Sequence, residues 1–361
     1  MQLVAMGAQD VYLTGNPQIT FFKVVYRRHT NFSKECIKQT CTGSLSDGAG
    51  KVTCTLSRNG DLVQEIYVNG TLAADAATED NTDLIKSVEV EIGGQKIDKH
   101  YSQWLDIYNE LFESDSSHTR RALMCVGKAG TGAKVFIPLR FWFNRNPGLA
   151  LPLIALQYHE VKINMELIKS ATTDAKFSAT PDLLVNYLYL DTDERRRFAQ
   201  VSHEYLIEQV QHTGVESKGD ITMHFNHPVK ALFWTASALT TGTEGVKLQL
   251  NGHDRFSGQE HDYFHLVQPY ECGLGHSTTL DTTDRTWGAI VSADAASNVS
   301  MYSFCLKPGE HQPSGTCNFS RIDNAKLNLG TLASGNNVWL FAMNYNVLRI
   351  MSGMGGLAYS N

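Results

Sequence analysis

Histidine is the residue type that could do chemistry at the closest spacing in this chain. His253, His261, His265 and His276 fall in one segment, and the middle two have the i, i+4 spacing of a metal-binding pair on a helix. Their surroundings, RFSGQEHDYFHLVQPYE, contain Pro269 and several aromatic residues, a pattern that favours a loop leading into β-structure. The two rings then need not share a face, and we expect ordinary loop histidines with no metal or other cofactor.

Carboxylates form the second candidate site. Asp191, Asp193 and Glu194 could imitate a site for a hard cation, but the next three residues are arginines, whose charge opposes a cation. The motifs GxSxG, HExxH and CxxC do not occur. We therefore expect no enzyme, no catalytic residue and no small-molecule substrate.

Two glycine-rich stretches resemble nucleotide-binding motifs only in part. VGKAGTGA, residues 126–133, lacks the Gly-Lys-Ser/Thr ending of a P-loop and precedes a run of β-forming residues. Gly353, Gly355 and Ala358 fit G-x-G-x-x-A, yet no helix or second strand can follow them in the few residues that remain. Neither stretch predicts a nucleotide site.

Composition indicates a protein of two domains that assembles with other chains. The 361 residues are 42% hydrophobic, and a single core seldom serves more than about 300 residues. Charged residues make up 19%, below the roughly 25% of an average soluble protein. The net charge of −6 argues against a general nucleic-acid binder, whose affinity comes from neutralising phosphates.

The start of the chain and the cysteines indicate a soluble, cytosolic protein. MQLVAMGAQD lacks the features of a signal peptide, and no apolar run is long enough to span a bilayer. The seven cysteines are odd in number and scattered, so we expect reduced thiols. Four asparagines begin N-glycosylation triplets, although the missing signal argues against their use: Asn31, Asn69, Asn298 and Asn318.

Residues 135–167 are the stretch that best defines the fold. Large β-forming residues over 136–143 predict a strand, and NRNPG predicts the turn that follows it. Over residues 161–167, apolar and polar residues alternate at period two, which is typical of an antiparallel strand with one wet face. The stretch predicts a β-corner in an all-β protein.

Further strands and one helix are predicted before this stretch. Short β-forming runs at residues 51–56, 62–68 and 87–92 are separated by Gly-rich turns, and Gly93-Gly94 suits a tight hairpin. Apolar residues at helical spacing over 101–112 predict a helix that packs on the end of a sheet, with Asp98 available as its N-cap. This pattern favours a sandwich or barrel.

The second half of the chain repeats the first in outline. VEVEIGGQKIDKHYSQWLDIY has a counterpart in VKLQLNGHDRFSGQEHDYFHLV, and each runs strand, glycine turn, charged residues and an aromatic-rich segment. The charged patch DTDERRR lies near the middle, where a domain boundary or linker is expected. We predict an N-terminal arm at residues 1–25 and two domains at 26–197 and 198–361.

Several long blocks closely resemble the major capsid proteins of nucleocytoplasmic large DNA viruses. They span both halves in the order of that family: GAQDVYLTGNPQITFFKVVYRRHTNFS, PLRFWFNRNPGLALPLIALQYHEVKI, NGHDRF with DYFHLVQPY, HQPSGTCNFSRIDNAKLNL and NYNVLRIMSGMGGLAYSN. The resemblance implies two tandem eight-stranded antiparallel jelly-roll β-sandwiches with short helices in the connecting loops.

The resemblance also implies a structural role. Three chains would form a homotrimer of pseudo-hexagonal outline that tiles an icosahedral virion capsid, with assembly in the host cytoplasm at a virus factory. Its partners would be neighbouring capsomers, minor capsid and penton proteins and the internal membrane surface, without sequence-specific nucleic-acid binding.

Basic residues on an otherwise acidic chain are then candidates for contacts on the inner face of the capsid. They are Arg27, Arg28, Arg195, Arg196 and Arg197. Intramolecular salt bridges are the alternative for these arginines. The alternative functions are a minor capsid paralogue and a non-viral jelly-roll protein that binds carbohydrate or metal.

Overall fold

The computed structural model describes residues 7–73, 81–126, 132–169, 175–236, 245–275, 299–330 and 337–359. The chain divides into two units, Met1–Asn31 and Phe32–Asn361. In the smaller unit, helix α1 (Asp10–Thr14) is followed by described residues that lie outside any strand. The β-forming run at residues 19–26 belongs to this part, and its large side chains are exposed.

The first half of the larger unit forms two antiparallel sheets. Its strands are β1 (Phe32–Gln39), β2 (Thr42–Ser46), β3 (Ala49–Thr55), β4 (Leu62–Thr71), β5 (Ile85–Ile92), β6 (Gln95–Tyr101), β7 (Lys134–Pro138), β8 (Leu151–Pro152), β9 (Val161–Leu167) and β10 (Asp182–Leu190). One sheet has the order β1-β10-β4-β7, with β8 added beside β4, and the other has the order β2-β3-β9-β5-β6.

The second half forms another two antiparallel sheets. Its strands are β11 (His203–Glu216), β12 (Asp220–Met223), β13 (Pro228–Ala236), β14 (Val246–Leu250), β15 (His253–Gln259), β16 (Ser300–Ser303), β17 (Cys317–Asn318), β18 (Ala325–Asn328), β19 (Val338–Met351) and β20 (Met354–Leu357). One sheet has the order β11-β19-β13-β16, with β17 beside β13 and β20 beside β19, and the other has the order β12-β18-β14-β15.

Both halves have the same topology. Setting aside β2, β8, β17 and β20, each half has eight described strands, and numbering them within their half gives sheets of order 1-8-3-6 and 2-7-4-5 in both cases. Two antiparallel sheets of eight strands joined by long crossovers make a jelly roll. The predicted fold, two tandem jelly-roll sandwiches in an all-β chain, is confirmed.

Local patterns explain several of these strands. Along β9, the apolar side chains are buried and the polar ones between them are half-buried, as their alternation predicts. Between β5 and β6, Gly93 and Gly94 have φ values of +58° and +86°. A hairpin turn with two positive φ angles favours glycine, because glycine has no Cβ to clash with the backbone.

The chain also contains six α-helices among the described residues, and all but α1 lie between strands of the larger unit. They are α1, α2 (Ser102–Phe112), α3 (Asp115–Val126), α4 (Trp142–Arg145), α5 (Thr192–Gln200) and α6 (Gln268–Cys272). No helix among the described residues is long and apolar enough to cross a membrane. The predicted helix at residues 101–112 is confirmed as α2.

The two sandwiches share apolar cores. The core of the first sandwich includes Ile207, Leu348 and Ile350 from β11 and β19 of the second. A separate cluster packs the stripe of α2, which includes Trp104, against sheet residues of the second sandwich such as Phe341. Helix α2 therefore packs on a sheet as predicted, but on the sheet of the other half.

The strand predicted over residues 136–143 is shorter than expected. β7 ends at Pro138, and α4 begins four residues later. The side chain of Asn144 accepts a hydrogen bond of 3.0 Å from the backbone N–H of Phe141, and this local bond favours a helical turn over a continued ladder. The aromatic side chains of this stretch are buried in the core, and their packing there determines the backbone conformation, which is not the strand that their sequence pattern predicted.

Asp98 does not cap α2, contrary to the prediction. It lies within β6, and the N-cap of the helix is Tyr101. Asp98 Oδ1 instead accepts from the backbone N–H of Val210, at 3.1 Å, and so joins the two sandwiches.

Candidate functional site

Three charged side chains meet in the interior between the two sandwiches and form the charged cluster, Arg145, Glu208 and Lys230. Arg145 Nη1 donates to Glu208 Oε2 at 2.7 Å, and Lys230 Nζ donates to Glu208 Oε1 at 2.5 Å. The Lys230 side chain is only 1% exposed and that of Glu208 8%. Burying a charge is costly unless it is paired and hydrogen-bonded, so the shared carboxylate is what allows both cations to lie inside.

Elements from both halves of the chain position the charged cluster. Arg145 is the last residue of α4, and its Nε donates to the carbonyl oxygen of Arg140 at 2.8 Å. Glu208 lies on β11 and Lys230 on β13, the two strands that flank β19 in one sheet. The ion pairs therefore connect the first sandwich to the second.

A cavity of about 290 Å³ lies beside the charged cluster. Its lining includes Tyr108, Trp142, Arg145, Glu208 and His311. The guanidinium carbon of Arg145 lies 4.8 Å from the centre of the Tyr108 ring, close enough for a cation–π interaction. The cavity thus combines an aromatic wall with fixed charges.

Burial perturbs the groups that titrate near the cavity. It lowers the pKa of His311, where the Glu208 carboxylate opposes the effect and the Lys230 and Arg145 cations reinforce it. Burial also raises the pKa of Tyr345, whose hydroxyl donates to the backbone oxygen of His311 at 3.2 Å. Both groups are held in their neutral forms, so the charges at this site are those of the charged cluster.

The histidine segment is helical, which makes the predicted loop wrong. A turn at Tyr263–Val267 leads directly into α6, whose first turn accepts Pro269 because a proline there removes no helical hydrogen bond. The ring centres of His261 and His265 lie 6.1 Å apart. His253 is exposed on β15, and position 276 falls outside the described residues.

The histidine rings are held by protein groups. His265 Nδ1 lies 2.7 Å from the backbone oxygen of Val299, and burial lowers the pKa of His261 to about 4. Within the described ranges, no three His, Cys, Asp or Glu residues are grouped so that they could hold a metal ion.

The five predicted basic residues lie in separate parts of the chain. Arg27 and Arg28 are exposed in the unit Met1–Asn31. Arg195 on α5 pairs with the buried Asp61 at 3.0 Å, the intramolecular salt bridge that was the alternative for this residue. Arg196 and Arg197 are exposed on the same helix. Contacts of these arginines with other proteins or a membrane stay a prediction.

The four asparagines of the glycosylation triplets differ in accessibility. Asn31 and Asn318 are exposed, whereas Asn69 is half-buried in β4, with its backbone in the ladders to β7 and β10. Asn318 Oδ1 accepts from the backbone N–H of Ser320 at 3.1 Å. Position 298 lies beyond the described residues. Glycosylation at these positions stays a prediction.

All seven cysteines are free thiols. Cys41 and Cys54 are buried neighbours at the start of the β2–β3 ladder, and their mutual hydrogen bond together with burial raises the pKa of Cys41. A thiol with a raised pKa stays protonated and is a weak nucleophile.

The charged cluster was missed by reasoning from the sequence. Its members are far apart in the chain, and no short motif joins them. A partial signal exists in PVKALFWTA, where Lys230 is the one charged residue of a strand that is otherwise almost entirely apolar. A single charge in such a strand indicates a buried ion pair, although the sequence does not identify the partner.

Comparison with protein families gives two matches that together cover most of the chain. A family described as "Major capsid protein N-terminus" matches residues 20–191. A second, described as "Large eukaryotic DNA virus major capsid protein", matches residues 194–245 and 285–356.

Individual relatives match over their full length. The major capsid protein of Pyramimonas orientalis virus is 55% identical, with 100% of this chain and 99% of that protein covered. The major capsid protein of Paramecium bursaria Chlorella virus 1 is 42% identical with the same coverage. A chain of the solved PBCV-1 virus capsid superposes with a TM-score of 0.75 at 38% identity, covering 95% of this chain and 100% of that one.

Proposed function

This chain belongs to the major capsid protein family of large eukaryotic DNA viruses, and we propose that three copies of it close into a capsomer that tiles the virion shell. Its role is structural. The proposal extends to a homotrimer of pseudo-hexagonal outline, to contacts with neighbouring capsomers, and to assembly in the cytoplasm of the host.

The repeated strand order of the two sandwiches is the observation that carries this proposal. Each chain contributes two bodies of the same topology, so a threefold ring of chains presents six similar bodies around its axis. Such a ring fits a hexagonal lattice while closing with only three copies, because head-to-tail contacts form a ring when the rotation closes. The shared cores between the sandwiches would keep the six bodies in fixed positions.

The domain division belongs to the same proposal. We place an arm at residues 1–25, the first jelly roll at 26–197 and the second at 198–361. The sheets support this division, because no described sheet mixes strands from before α5 with strands from after it.

Mass measurement tests the trimer. Light scattering behind a sizing column should give a mass close to three times the 40.1 kDa of one chain. Electron microscopy of the same fraction should then show particles with a hexagonal outline. A stable monomer at micromolar concentration would contradict the closed ring.

We also propose that the exposed arginines contact inner minor capsid proteins or the acidic surface of the internal membrane. Arg196 and Arg197 are the pair to reverse, since Arg195 has an intramolecular partner in Asp61. Replacing both by glutamate should leave the mass of the capsomer unchanged and reduce its binding to anionic vesicles. Arg321→Glu, at an exposed position of the second sandwich, is the matched control. Unchanged vesicle binding and normal virion assembly in the double variant would contradict this proposal.

A further inference from the structure

Two elements of the first sandwich contact the second. Strand β6 is the fifth of the eight strands in its half and lies beside β11, the first strand of the other half, where Asp98 Oδ1 accepts from the Val210 N–H. Helix α2 follows β6 and packs through Trp104 on the sheet of β11, β19, β13 and β16. It covers the outer face of that sheet, because Phe233 on β13 belongs to the α2 cluster while its neighbour Trp234 lies in the core of the second sandwich.

The second sandwich carries the same two elements, and both are exposed. Strand β15 is its fifth strand and lies at the edge of its sheet, with most of its described residues exposed. The helical residues 263–272 follow β15 as α2 follows β6. Leu266, Val267 and Tyr270 lie on one face of this segment and form the apolar patch, with exposed fractions of 38%, 41% and 84%. The apolar stripe of α2 is buried, so the apolar patch is the one of the two helical faces that still lacks a covering surface.

The first sandwich carries the counterpart of the face that α2 covers. Leu184 on β10 lies opposite Tyr67 on β4, which lies opposite Pro138 on β7, and all three are half-buried. Their neighbours along each strand belong to the core of the first sandwich, so this row lies on the outer face of its sheet. In the second sandwich the row on the equivalent strands belongs to the α2 cluster and is 0% exposed: Phe341, Phe233 and Met301. The outer face is therefore closed in the second sandwich and partly open in the first.

The apolar patch adjoins the contact inside the chain. Cys272 ends α6 and Leu274 comes two residues later, and both pack against the cluster of α2. The N–H of Gly275 donates to the carbonyl oxygen of Leu111 on α2 at 2.8 Å. A contact between chains at the apolar patch would therefore continue the contact between the two sandwiches.

We propose that the apolar patch packs on the outer face of the sheet of β1, β10, β4 and β7 in a second copy of this chain, with β15 beside β1 of that copy. The contact repeats between chains what α2 and β6 do within one chain. Given the trimer of the proposed function, on which this assignment rests, each chain offers one patch and covers one patch, so three copies leave none exposed. The exposed edges of β15 and β1 are covered in the same step.

Tyr270→Asp tests the contact by placing a charge in the apolar patch. Light scattering over a dilution series should show that the concentration at which half of the trimers dissociate rises roughly tenfold or more, because buried tyrosines are among the residues that contribute most to interfaces. Leu306→Asp is the matched control, since Leu306 is 78% exposed in the loop between β16 and β17. It should dissociate at the same concentration as the wild type.

The outcomes separate this contact from the trimer itself. A wild type and a Tyr270→Asp variant that form equally stable trimers would overturn the contact and leave the proposed capsomer standing. A wild type that keeps the 40.1 kDa mass of one chain would contradict the capsomer and the contact together.

Photo-cross-linking tests the same contact without breaking it. Benzoylphenylalanine in place of Tyr270 keeps an aromatic ring at an exposed position, so folding should be unaffected. Illumination of the trimer should join two chains, and peptide mass spectrometry should find the second attachment point on β1, β10, β4 or β7. A cross-link to another surface of the second copy, or none between chains, would overturn the proposal.

Discussion

At the scale of single residues, a buried charge contributes most to the stability of this protein where one carboxylate pairs with two cations. Glu208 is such a group, since its loss leaves Arg145 and Lys230 without their shared partner. An exposed ion pair behaves differently, because water screens its charges. The two situations occur on the same strand, β11, where Glu204 pairs with Arg349 at the surface.

Replacing Glu208 by glutamine should lower the free energy of unfolding by about 3 kcal/mol or more, because it leaves two buried cations without a counter-charge. Urea denaturation of the purified chain measures this loss. The Glu204→Gln variant is the matched control and should change stability by no more than about 0.5 kcal/mol. Similar losses in the two variants would contradict the buried character of the cluster.

Acid should destabilise the fold through His261. Its pKa is about 4 in the folded chain against 6.5 for an unperturbed histidine; burial is the main cause, the nearby His265 adds to it and Asp262 opposes it. Between these two pH values the unfolded chain binds a proton that the folded chain does not bind. Stability should therefore fall by on the order of 2 kcal/mol as the pH drops from 6.5 to 4, and the contribution of His261 to the pH dependence should vanish within about one pH unit above 6.5.

Stability measured by denaturant titration across this pH range checks the prediction. His261→Gln should flatten the curve, whereas His253→Gln at an exposed position of β15 should leave it unchanged. A curve for His261→Gln that keeps the full slope of the wild type would assign the acid sensitivity to other groups.

At the scale of elements, the turn between β5 and β6 contains two adjacent glycines that differ in the space around them. Both have positive φ, yet a Cβ at Gly93 would fall on the ring of His159, while a Cβ at Gly94 would meet open space. Gly94→Ala should cost roughly 1 kcal/mol for the left-handed backbone alone. Gly93→Ala should cost about 1–2 kcal/mol more, and denaturant titration of both variants measures the difference. Equal losses would show that His159 moves aside freely.

Elements encoded by local patterns were predictable from the sequence, and those that depend on distant contacts were not. The alternation in β9, the glycine pair and the apolar stripe of α2 each specify their structure within a dozen residues. The end of β7 and the helical fold of the histidine segment depend on the packing of aromatic rings and on a side-chain hydrogen bond. Aromatic residues favour strands in general but pack in helical turns when a core requires it.

The candidate site was even less predictable from local sequence patterns, because it depends entirely on contacts between distant parts of the chain. The cluster brings together three elements of two sandwiches, which contribute Arg145, Glu208 and Lys230. The sequence around one of these residues does not identify the other two as its partners. The resemblance to capsid proteins predicts the fold and the structural role, since both are shared by the family. A buried ion cluster becomes visible only when the strands are placed side by side.

At the scale of the whole molecule, the two jelly rolls should unfold together. Side chains of β11 and β19 lie in the core of the first sandwich, and α2 of the first half lies in a core of the second. Separate domains with small polar interfaces commonly unfold in separate steps. Calorimetry should therefore show one transition for the region Phe32–Asn361, and two resolved transitions would contradict this coupling.

The pairing of first and last strands has a consequence for how the chain folds during its synthesis. In each sandwich the first strand pairs with the eighth, β1 with β10 and β11 with β19. Neither sandwich can close until its last strand has left the ribosome, and the first can close while the second is still being translated. Because β11 and β19 also supply part of the first core, the early sandwich exposes an apolar patch until the nascent chain is nearly complete. Slowing translation between β10 and β19 should lengthen the exposure of that patch and increase the demand for chaperones during infection.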